Sequence, residues 1–122
     1  MDEIIGIISK QEKNTMRTFY HATNIENLAS IMNTGLETRN IEKLVYLAET
    51  PQDALKFIAL RFYPEMLVVK VKIPKKYEHK IIETFDHNYI FFKCRAFGYQ
   101  GNIPPNMIVG YMKYLRNNEQ TR

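Results

Sequence analysis

Apolar and polar positions fall into two regimes along the chain. Up to about Pro64, short β-favouring runs alternate with stretches of helical spacing, and beyond it apolar runs follow one another with no helical pattern between them. The run "MRTFYHA", Met16 to Ala22, has the aromatic, β-favouring character of a strand. "TNIE" follows it as a capping box, Thr23 with Glu26, so a helix is expected from near Asn24. Ile25, Leu28, Ile31 and Met32 supply its apolar spacing, and Gly35 closes it. "KLVYLAE" is the next expected strand. "TPQD" then starts a second helix, with Thr50 as cap, Pro51 at the first helical position and Asp53 at the positive end. Its expected buried stripe is Ala54, Phe57, Ile58 and Phe62, and Tyr63-Pro64 ends it.

Three further strands are expected in "MLVVKVKIP", "YIFFKCRAF" and "MIVGYMKYL", paired largely antiparallel because no crossover helix separates them. Strand, helix, strand, helix and then a strand-rich half predict an α+β fold. Residues 1–16 are expected as an N-terminal helix, with Ile4, Ile5 and Ile8 on one face, and a polar connector. A single domain spans 17–116, and 117–122 is a frayed tail.

Composition narrows the function classes. A chain of 122 residues accommodates one core. The 17 basic and 13 acidic residues give +4, a mild and dispersed excess apart from "KVKIPKK", which fits an anionic ligand better than a nucleic-acid stripe. The single cysteine, Cys94, forms no internal disulfide, and neither a leader nor a membrane-length apolar run is evident, so a cytoplasmic protein without membrane contact is expected. Walker and dinucleotide glycine loops and hydrolase elbows are absent from the sequence, and His21, His79 and His87 are spaced too widely to suggest a metal.

His21 ends the first strand and Tyr46 lies in the second, each just before a capped helix. Two readings of each stand side by side. His21 is either a partly buried imidazole bonded to backbone at a strand end or a ligand-holding group, and Tyr46 is either a half-buried strand aromatic or the second wall of the same cleft. Arg17 and Arg95 are read first as exposed strand arginines, with contact to a pyrophosphate as the alternative. Pro104 and Pro105 fix an extended turn from which Ile103, Met107 and Ile108 return to the core.

"FYHATNIENLASIMNTGL", "LVYLAETPQDALKFIA" and "YQGNIPPNMI", in that order, resemble the small ADP-ribosyltransferase-like domains of the His-Tyr-acid group, bacterial and phage members among them, over roughly Thr18 to Lys113. The resemblance implies a split antiparallel sheet with two to three short helices, its halves pinching a bent NAD+ as substrate, with no metal. In that family pattern His21 would bond a ribose hydroxyl, the Ala22 backbone would hold the nicotinamide carboxamide, Thr23 would brace the turn and the Tyr46 ring would stack on the nicotinamide. The implied reaction is transfer of ADP-ribose, with nicotinamide released, to a macromolecular acceptor, a protein ahead of a nucleic acid, by a monomer or homodimer. The late-strand glutamate of the family is replaced by Gln100, which leaves Asp86 or Glu83 in the preceding connection, where Glu78 also lies, as candidate acids. A non-catalytic docking module on the same scaffold, or an RNA 2'-phosphotransferase-like activity, are the other functions the resemblance admits.

Overall fold

The computed structural model describes residues 16–84 and 94–116. Its elements are β1 (Met16–Asn24), a 3-10 turn (Ile25–Asn27), α1 (Leu28–Thr34), β2 (Leu44–Leu47), α2 (Pro51–Phe57), β3 (Glu65–Pro74), β4 (Ile81–Thr84), β5 (Ala96–Gln100) and β6 (Ile108–Leu115), with further 3-10 turns between. The fold is α+β. Two three-stranded antiparallel sheets carry it, one ordered β1-β3-β6 and the other β2-β5-β4. No helix among the described residues is long and apolar enough to cross a membrane.

The sheets meet at one rung. Tyr20 of β1 and Ala48, just past β2, exchange both backbone hydrogen bonds, at 2.9 and 2.8 Å, so β1 and β2 stand side by side at the seam. On the core side the Phe19 and Phe97 rings cross the same seam, with centroids 5.1 Å apart. β3 is the central strand of its sheet, which explains the unbroken apolar run at its start. Leu67, Val69, Val71 and Ile73 face the main core, while Val68 turns to a small second core with Ala22, Ala48, Ala54 and Ile58. The alanines let α2 lie close on the β1–β2 seam.

Several local expectations are shifted by competing interactions. The first helix is capped by Asn24, whose side chain accepts from the Glu26 amide at 3.2 Å, and not by Thr23, whose hydroxyl accepts from Asn27 Nδ2 at 2.8 Å. Thr50 does cap α2, accepting from the Asp53 amide at 3.1 Å. That helix stops at Phe57, and Phe62 adopts a left-handed conformation with φ 56° and is 65% exposed under the Arg116 guanidinium, so it is no part of the buried stripe. Met32 is likewise exposed. β4 comes from the stretch expected to be a connection: "IIET" adds to the edge of β5 once β5 offers a free ladder. β5 itself begins at Ala96, and residues 89–93 of its expected strand lie outside the described residues, as do the N-terminal helix and the tail.

Candidate functional site

The seam between the sheets opens one rung beyond Tyr20–Ala48. In an antiparallel ladder, residues exchanging both hydrogen bonds recur every second position, so the next such pair after Tyr20 and Ala48 is Ala22 with Tyr46. That rung is not formed. The Tyr46 carbonyl instead accepts from His21 Nδ1 at 2.8 Å. The imidazole thus takes the acceptor that the Ala22 amide would use, and it wedges the strands apart. By strand alternation, Ala22 keeps its N–H and C=O on the edge that faces the opening, because Tyr20 two residues earlier points the same way.

A cleft of about 180 Å³ lies beyond this split. β1 supplies His21 and Thr23, the first helical segment Asn27 and Ser30, the following connector Glu37, Arg39 and Asn40, and β2 Tyr46. Val45 and Leu47 point to the main core, so by strand alternation the half-buried Tyr46 side chain turns to the other face of β2, and Tyr46 borders the cleft, beside Leu44 and Val45, at the carbonyl that accepts from His21. The hydrogen bond from Nδ1 to a carbonyl fixes the neutral tautomer of His21: Nδ1 carries the proton and Nε2 keeps a lone pair.

The His21 ring is partly open on its cleft side, yet enough protein surrounds it for burial to lower its pKa, outweighing the opposite pull of the Tyr46 carbonyl. An unfolded histidine protonates near about pH 6.5, before the folded one does. Just below that pH the unfolded state therefore binds more protons, and stability is lost as pH falls from about 6.5 toward the lower folded value. The urea midpoint is expected to drop across this window in the wild type and to flatten in His21→Gln. Parallel curves for the two proteins would assign the loss to another group.

The other sequence candidates are placed elsewhere. Gln100, at the exposed end of β5 opposite Leu44, does not line the cleft. Glu83 is held by Arg95 through two bonds of 2.9 Å, which keep its carboxyl below the usual range and commit it to the outer sheet edge. Asp86 lies outside the described residues. Arg17 lies over the Phe19 and Phe97 rings at 4.8 and 5.6 Å and meets Glu78 at 4.0 Å, and Arg95 also covers Phe97, at 4.9 Å, so both serve the sheet seam and neither reaches the cleft.

The polar cleft residues not singled out from sequence are Asn27, Ser30, Glu37, Arg39 and Asn40, beside the apolar Leu36, Leu44 and Val45. The signal for Glu37, Arg39 and Asn40 is the polar run "ETRN", which follows the helix-closing Gly35 and leads the chain back toward β2 past the end of β1. Asn40 pins that turn, accepting from the Leu44 amide at 3.0 Å and donating to its carbonyl at 2.7 Å.

No family model matches the chain, and no curated protein matches it either. The cleft itself offers an imidazole lone pair, the polar side chains of Thr23, Asn27 and Ser30, one carboxylate and one guanidinium.

Proposed function

We propose that the chain is an NAD+-dependent ADP-ribosyltransferase, using the cleft at the sheet split to hold the nicotinamide end of the dinucleotide. The observation that carries this reading is the His21 Nδ1 bond to the Tyr46 carbonyl, which joins two sequence-distant strand ends into one site and leaves groups suited to a nicotinamide riboside. His21 Nε2 accepts from a ribose hydroxyl. The Ala22 backbone, at the unformed rung beside the cleft, offers one donor and one acceptor, the complement of a carboxamide. Two antiparallel sheets parting at β1 and β2 are also what the resemblance to the His-Tyr-acid group implies.

Size supports an end-on mode. A volume of about 180 Å³ falls below the ~300–1,000 Å³ of pockets that enclose a whole ligand, so the adenosine end lies along the open side. On this reading the pyrophosphate falls to Arg39, the exposed guanidinium of the cleft rim. In the reaction the bond between ribose C1′ and the nicotinamide nitrogen breaks, and its electron pair leaves with nicotinamide. An acceptor nucleophile then adds to the oxocarbenium-like carbon and gives up its proton. A protein acceptor is favoured over nucleic acid because the +4 excess is mild and dispersed apart from "KVKIPKK".

Titration of NAD+ into the protein by calorimetry, with nicotinamide followed in the same samples, tests the proposal. Saturable one-to-one binding with nicotinamide release is expected when an acceptor is present. Binding without release in any acceptor mixture would favour the docking module, and the absence of binding would remove the dinucleotide altogether.

A further inference from the structure

Cleavage of the nicotinamide–ribose bond develops positive charge at C1′, and a fixed anion nearby stabilises it. Neither Gln100 nor Glu83 lies in the cleft. Glu37 does, and among the described residues it is the one carboxylate in the lining. We infer that Glu37 is the acid of this site, supplied from the connector after α1 in place of a late strand; this rests on the dinucleotide reading of the cleft.

Two features suit Glu37, an exposed carboxylate, to this role. Its backbone is clamped on both sides. Leu36 exchanges both hydrogen bonds with Ile103, each 2.8 Å, and the Thr38 amide donates to Asn102 Oδ1 at 2.9 Å. The "GNIPP" turn therefore has a use beyond returning the chain to the core: it fixes the position of the acid. The charge is also not neutralised, since Glu37 makes no ion pair within 4.0 Å among the described residues, Arg39 included. Glu83, by contrast, is spent on Arg95.

On this assignment Glu37 faces the sugar carbon as nicotinamide departs with the bonding electrons. It then accepts the proton of the acceptor hydroxyl or amine as the new C1′ bond forms, which balances the step without a further reactant.

The test does not need turnover. NAD+ carries a cationic nicotinamide ring and NADH a neutral one, so the ratio of their dissociation constants reads the anion directly. A unit charge about 6 Å away through an effective dielectric of about 40 corresponds to about tenfold in that ratio. The wild type is expected to prefer NAD+. E37Q should lose about tenfold of the preference with its NADH affinity kept within about twofold, and E37D should keep most of it. An unchanged preference in E37Q, or an equal loss of both affinities, overturns the inference and leaves the dinucleotide reading standing. A wild type that binds neither nucleotide overturns both. Unfolding midpoints of the two variants, expected to match the wild type because Glu37 is exposed, separate a charge effect from misfolding.

Discussion

Replacing His21 with alanine is expected to cost NAD+ affinity about 30-fold or more while leaving the fold almost as stable as before. Two effects add. The ribose hydroxyl loses its Nε2 acceptor, and the Tyr46 carbonyl loses the Nδ1 donor that keeps it from the Ala22 amide. With the wedge removed, the ladder has its natural next rung available, Ala22 with Tyr46, two residues on from Tyr20 with Ala48. Closing it would withdraw from the cleft the edge proposed to hold the carboxamide. Two to three hydrogen bonds at roughly 1 kcal/mol each correspond to ~30- to 150-fold in affinity. Stability changes little because the half-buried carbonyl exchanges one donor for another. Calorimetry measures the affinity, and amide hydrogen exchange at Ala22 reports the rung, slowing in the variant if the seam zips up. Unchanged affinity together with unchanged exchange would show that His21 is only a strand-end packing residue.

Gly35→Ala is expected to be strongly destabilising, at about 2–6 kcal/mol. Gly35 sits at φ 85° and ψ −167°, a region that residues with a Cβ rarely enter. An added Cβ would come within 2.1 Å of the Ile103 carbonyl oxygen, the atom that accepts from the Leu36 amide. Strain there of roughly 1–3 kcal/mol adds to the loss of the two Leu36–Ile103 bonds, at about 0.5–1.5 kcal/mol each. Against a total stability of ~5–15 kcal/mol this is a large share. Gly110→Ala is the matched control, because nothing lies within 4 Å of its added Cβ and its φ is not positive, so a change within about 0.5 kcal/mol is expected. Urea unfolding of both variants decides the matter. A Gly35→Ala loss no larger than the control's would mean that the "GNIPP" turn does not clamp the connector, and the fixed placement of Glu37 would lose its support.

Both predictions turn on a glycine and a histidine that the amino-acid pattern already marks, yet for reasons it only half supplies. Gly35 is legible as a helix stop, but the demand for a missing Cβ comes from a turn 68 positions downstream, at Ile103. His21 was open to two readings, and the geometry makes them compatible. One ring nitrogen satisfies backbone at a strand end, as a packed histidine does, and that same bond presents the other nitrogen to the cleft.

What the sequence by itself determined is local: the aromatic β1, the Thr50–Pro51 start of α2, the stop at Gly35, the alternation of β3 beyond Val69 and the return of Ile103 and Met107 to the core. These follow from propensity, capping and period, which act over a few residues. What only the tertiary structure decided is the partition into two sheets, the recruitment of "IIET" as an edge strand, the commitment of Glu83 to Arg95 and the arrival of Glu37 beside His21 and Tyr46. Each depends on which strand edge is left open and which charges meet across it. Those are contacts between segments tens of residues apart, and their energies are settled by the packed chain and not by any window along it.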